Sequence, residues 1–251
     1  MGRLKSKGLN YKILILSLFL LNPDFFAQEK TIKNSVNTPQ GYTRIKFPEG
    51  SYCNWIQNLP LKGNNTILDY RGFILSSSSF YSIFGVVDMP LLFDSDLEQC
   101  ADYCMRFWAE YHKDMNRLDS LYLLDYSGNK KKFKNSGKTY SGFLRWAFSS
   151  SNSYSLKMGC KKVSRNELIP GDMIVQNESG GIGHASVILD VCKSKEGKKL
   201  YLIGYSFIPA QEFHIEKARD TRGTGGWFTL TKYFEYLEAY LPLGEPTLRR
   251  F

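Results

Sequence analysis

The alternation of apolar and polar residues along the chain is clearest in its second half, where it reads as three successive strands. Met173–Gln176, His184–Cys192 and Leu200–Ser206 are short apolar runs, the last two joined by a Lys/Glu/Gly hairpin. Pro170, Gly171 and Asp172 form a turn leading into the first. Phe213–Glu216 extends the series, and Thr229–Leu241 reads as a closing helix. In the first half, Leu97, Cys100, Ala101, Cys104, Met105 and Trp108 recur at three- and four-residue intervals. They predict a helix over about 96–113, with Ser95 and Glu98 at capping-box spacing and Arg106 paired with Glu110. Shorter helices are expected over Ser51–Leu59, with Ser51 as N-cap and a stop at Pro60, and over Ser141–Ser149, ended by the Ser149–Ser155 stretch. Thr66–Tyr70, Ser82–Met89 and Leu121–Tyr126 have strand character, Ser76–Ser79 is a low-complexity patch, and 28–45 reads as a weakly structured lead-in.

Helices followed by an antiparallel strand run make this an α+β chain and not a doubly wound parallel sheet. Its 251 residues suffice for a single domain over 28–251, carrying an N-terminal extension and a basic insertion near 127–140. Residues 1–27 read as a signal peptide. Arg3, Lys5, Lys7 and Lys12 precede the apolar run Ile13–Leu21, and Ala27 offers a cleavage point. Export to the periplasm or beyond is therefore expected, with a membrane anchor as the alternative if the segment stays uncleaved. The segment holds those four basic residues and Asp24, so its removal lowers the net charge from +9 to +6. The remaining surplus sits largely in Lys130–Lys134, Lys161–Lys162 and Lys193–Lys199. Such runs read as solvated loops, and nucleic acid is not an expected partner.

The chemistry expected is that of a thiol. Of the five cysteines, Cys100 is the best placed, in the second turn of a capped helix, where the dipole still favours a thiolate modestly. Its apolar setting equally suits a small buried hydrophobe. Cys100 and Cys104 are one helical turn apart, but no second pair with ligand spacing follows, so no metal or cofactor is expected. The bases available are His112, His184 and His214. His184 opens an apolar strand after the glycine-rich 180–183 approach and suits a general base, while His112 continues the helix stripe. Gln211 is the first choice to orient the imidazole, with Tyr205 and His214 as alternatives, and Gln99 is a candidate oxyanion donor.

A helix bearing the cysteine, then Pro170–Asp172 with an apolar strand, then Gly183-His184-Ala185 with a second, resembles the NlpC-like and CHAP-like cysteine peptidases and amidases. That resemblance implies a papain-like fold and attack by Cys100 on an amide carbonyl, with His184 as base and an orienter within 205–211. The substrate it implies is a peptide such as that of a bacterial cell wall. Gln99-Cys100-Ala101-Asp102 stands where those enzymes usually carry Asp-Cys-Ser-Gly. The chain is more closely similar to an uncharacterised family of exported bacterial proteins described only as a domain of unknown function. The similarity rests on Gly41–Ile45, Trp55, Gln99–Asp102, Met105-Arg106, Gly171–Met173, Gly183–Ala185 and Pro209–Gln211. The competing reading is a non-catalytic exported binding or scaffold domain on the same frame, with Cys100 and His184 as packing residues.

Overall fold

A computed structural model of the chain describes residue 2, residues 30–76 and residues 80–251. The expected signal segment, residue 2 aside, and residues 77–79 of the serine patch lie outside the described residues. The helices are α1 (Ile32–Ser35), α2 (Tyr52–Gln57), α3 (Cys100–Asp114), α4 (Tyr140–Ser150), α5 (Ser153–Gly159) and α6 (Leu230–Tyr240). The strands are β1 (Tyr42–Arg44), β2 (Ile83–Val86), β3 (Tyr122–Leu124), β4 (Lys130–Lys132), β5 (Lys161–Lys162) and β6 (Met173–Gln176). They continue as β7 (His184–Ser194), β8 (Lys199–Tyr205), β9 (His214–Glu216), β10 (Gly223–Thr224), β11 (Trp227–Phe228) and β12 (Thr247–Arg250).

The fold is mixed α+β. Among the described residues ten strands join one sheet in the central order β10-β11-β8-β7-β6-β12-β5, while β3 and β4 form a separate hairpin. The pairings β6–β7, β7–β8 and β8–β9 are all antiparallel, as the run of short strands predicts. β7 is the axis. Its residues 184–192 are buried throughout because both faces of the sheet are covered. Successive strand side chains point to opposite faces. Ala185, Val187 and Leu189 accordingly join the core with Tyr103, Phe107, Leu144 and Leu156 of α3, α4 and α5. Ile188 joins the opposite core with Tyr233, Leu237 and Leu241 on and beside α6.

The turn before β6 forms as expected. Gly171 adopts φ +91°, and a Cβ there would stand 2.5 Å from the Tyr52 ring, so glycine is required on both counts. Asp172 accepts from Ile169 N at 2.9 Å and pairs with Arg250 of β12, while its carbonyl accepts from Ile188 N of β7 and Gly171 N donates to Ile188 O. Ser51 caps α2, accepting from Asn54 N at 3.2 Å.

Other expectations are corrected. The long helix begins at Cys100, four residues later than its periodicity suggests, because the Glu98 side chain turns inward. It accepts the Leu92 and Phe93 amides and pairs with Arg106 at 2.8 Å, so it closes no capping box with Ser95. Asp102 caps the helix instead, accepting Gln99 N at 2.9 Å. Arg106 is thus unavailable to Glu110, which pairs with Lys113. Residues 66–70 make only isolated bridges, and the Ser149–Ser155 stretch contains the Asn152 cap of α5. The lead-in carries α1 and β1. It is tied to the sheet by Arg44, which donates to the buried Asp190 carboxylate at 2.6 Å and to the Lys33 carbonyl.

Candidate functional site

Cys100 is the first residue of α3, not a member of its second turn, so it stands where the helix dipole is strongest. It lines a cleft of about 630 Å³ between the start of α3, the α4–α5 junction and the glycine loop 180–183. The loop is held firmly. Gly180 O accepts from Tyr126 Oη at 3.1 Å and Asn152 Nδ2 at 3.0 Å, and the buried Asn177 side chain bonds Ser153 Oγ, Gly181 O and Gly180 N. Gly183 packs so closely that a Cβ would lie 2.3 Å from Ser153 Oγ and 2.4 Å from Gln176 O, which explains the glycine before His184. At the mouth stand Ile182 and Ile208, respectively 76% and 45% exposed although both are apolar. The charged residues of the lining are Asp96 and Asp102.

Burial pushes the Cys100 thiol up to about 12, outweighing the Ala185 amide, which favours the thiolate. Asp102 is buried, and desolvation drives its carboxyl well above the usual range. Among the described residues its Oδ1 has no hydrogen-bond partner. Gln99 lines the cleft beside the thiol, but its side-chain amide donates to Asp96 at 3.0 Å.

His184 lies elsewhere. Its Nε2 shares a hydrogen bond with Ser186 Oγ at 3.1 Å, and Ser186 in turn accepts from Tyr233 Oη of α6 at 2.7 Å. His184 and Ser186 therefore occupy the α6 face of β7, whereas Ala185 between them faces α3. Nδ1 has no partner among the described residues. The structure consequently forms no Cys100–His184 hydrogen bond. Burial, with His214 adding to it, holds the His184 imidazole neutral down to about 3. In this arrangement the imidazole is hydrogen-bonded to Ser186 and not to the thiol.

The residues considered as orienters do gather near the imidazole, but as a buried network. The Tyr205 ring meets His184 edge-on at 5.0 Å and His214 at 4.4 Å. Tyr205 Oη bonds Glu216 at 3.3 Å and Tyr236 Oη at 3.0 Å, and His214 Nε2 reaches Glu216 at 3.3 Å. Gln211 faces Tyr81 Oη, not His184, and His112 bonds the Trp108 carbonyl within α3. Ser186, Glu216, Tyr233 and Tyr236 were not foreseen. The polar pair His184 and Ser186, two apart in an apolar strand, is the sequence signal for this face.

His184 has a thermodynamic consequence. An imidazole neutral in the fold but titrating near 6.5 when unfolded contributes stability that is complete above 6.5 and is lost as pH falls toward 3. The loss expected from this one group is about 1.4 kcal/mol per pH unit within that window. The buried carboxyls of Glu98, Asp102, Asp172 and Asp190, all raised chiefly by burial, act in the opposite sense. The quantity to measure is therefore the difference in urea unfolding between the parent and His184→Gln at pH 4 to 7. Equal pH slopes would refute a neutral buried imidazole.

Across residues 32–135 and 124–240 the chain matches the family described as a domain of unknown function (4846). No curated protein and no solved structure matches it.

Proposed function

The chain belongs to that family of unknown function, and with no activity to inherit from it we propose that it is a binding domain whose cleft at the start of α3 receives a peptide-like ligand. One observation carries this reading. A preformed cleft, lined by a glycine loop and by Ser151, Asn152 and Ser153, carries two exposed aliphatic lips, while its thiol is raised by burial and has no hydrogen-bonded base. Ile182 and Ile208 give the rim an apolar surface that a bound ligand would cover. The exposed backbone of residues 181–182 suits an extended chain, with side chains resting on Ile182 and Ile208. The apolar N-terminal run Ile13–Leu21 supports export.

The test uses the full chain with ¹³C-methyl-labelled isoleucine, titrated with capped tripeptides of Ala, Ser and Leu. The Ile182 and Ile208 methyl signals should shift together on a saturable curve, and Ile182→Asp should abolish saturation. Unmoved lips, or shifts scattered over unrelated isoleucines, would remove the support for this reading.

A second reading, cysteine-dependent amide hydrolysis on a papain-like frame, is favoured by the place of Cys100 as first residue of a fifteen-residue helix lining a cleft. It requires His184 to leave Ser186 and reach the other face of β7, or another group in the cleft to serve as base.

A further inference from the structure

The lysine surplus does not line the cleft. Part of it gathers on the β3–β4 hairpin, where residues 130–132, expected as a solvated insertion, form a strand paired with Tyr122–Leu124. With Lys138 they line a separate cavity of about 470 Å³, floored by Phe143 and Trp146 and flanked by Asn135 and Ser136, with no carboxylate in the lining. Lys131 is partly neutralised by Asp125 at 3.2 Å, and Lys130 Nζ lies 4.1 Å from the Tyr122 ring centre. Among the described residues Lys132 and Lys138 have no ion-pair partner. Uncompensated like charges around one concavity repel each other and focus a positive potential into it, which an anion relieves.

The composition of the cavity narrows the ligand. Ammonium groups are point charges on flexible stems, so they read charge density and not one planar group as a guanidinium fork does. Trp146 is half-buried, lines the cavity and stacks on Phe143 at 5.4 Å, which leaves one indole face uncovered by that ring. Its negative π face favours the polarised C–H groups of a sugar ring. The volume falls within the range of small-ligand pockets, with room for one or two rings. A single-stranded nucleic acid would call for several aromatics strung along a basic groove, and one recessed indole is not that arrangement.

We propose that this cavity binds an anionic sugar, its ring on Trp146 and its carboxylate or phosphate between Lys132 and Lys138. The exposed Asn135 side chain supplies a partner for ring hydroxyls. The site is independent of the cleft at α3.

The experiment uses the full chain labelled with ¹⁹F-tryptophan, the Trp146 resonance being assigned through Trp146→Phe. Digalacturonate and glucose 6-phosphate are titrated in parallel with glucose, inorganic phosphate and AMP. The Trp146 signal should shift with one or both charged sugars, and which one responds identifies the acid group. Affinity should fall about ten-fold or more in the Lys132→Gln/Lys138→Gln double variant, and similarly on raising salt from about 0.05 M to about 0.5 M. Both lysines are exposed, so the variant keeps the fold. A silent Trp146, phosphate binding as tightly as the sugar phosphate, tighter AMP binding, or an unaffected double variant would each overturn the proposal.

Discussion

Alkylation of Cys100 by iodoacetamide at neutral pH should run about a thousand-fold slower than that of a thiol of ordinary pKa. The thiolate is the nucleophile, and burial moves its formation from 9 to about 12. Cys160 and Cys192 are raised to about 12 by the same cause, and Cys104 well above 9. Cys53, raised only to about 11 and the least buried of the five, should therefore react first. Residue-resolved mass spectrometry of timed alkylation gives the order directly. Rapid labelling of Cys100 alone, lost in His184→Ala, would reverse it and support an activated Cys100–His184 pair. The same shifts carry a stability term of defined sign. Thiols raised in the fold stabilise it below 9, and that contribution drains away as pH rises from 9 toward 12.

Replacing Arg106 by Ala should cost about 3–5 kcal/mol of unfolding free energy, read from urea denaturation. Arg106 and Glu98 are both buried and pair at 2.8 Å, and Arg106 also donates to Pro90 O at 2.8 Å. Removing the cation leaves the Glu98 carboxylate desolvated and uncompensated in the bend that positions the first turn of α3. The double replacement Glu98→Gln/Arg106→Met should recover much of the loss, because no charge is then left unpaired. An Arg106→Ala variant within about 1 kcal/mol of the parent would show that the pair holds nothing in place.

Much of the frame was legible in residue order. The strands 173–176, 184–194 and 199–205 follow their apolar runs to within two residues, and the Ser51 cap acts where its residue type and the Pro60 stop put it. Capping and strand alternation are local effects, decided by neighbours in sequence. What escaped was set by distant partners. The start of α3 depends on Glu98 turning away from its own helix toward Arg106. The terminal β12 reads as polar, and becomes a strand because Arg249 and Arg250 find Lys157 O and Asp172.

The candidate site divides the same way. Residue types and periodicity singled out Cys100 and His184; His184 opens its strand as expected, while Cys100 opens its helix and does not lie in the second turn. Sequence alone also determined the α+β class, the antiparallel run and the turn at Gly171. Only the tertiary structure decided which face of β7 each side chain occupies. Because a strand alternates, the one-residue step from His184 to Ala185 separates a neutral imidazole under α6 from the surface facing Cys100. Burial, a property of the packed whole, then set the thiol near 12 and the imidazole near 3. A thiol and an imidazole were in the sequence; their separation and their charge states belong to the fold, because distance and desolvation exist only once the layers have closed.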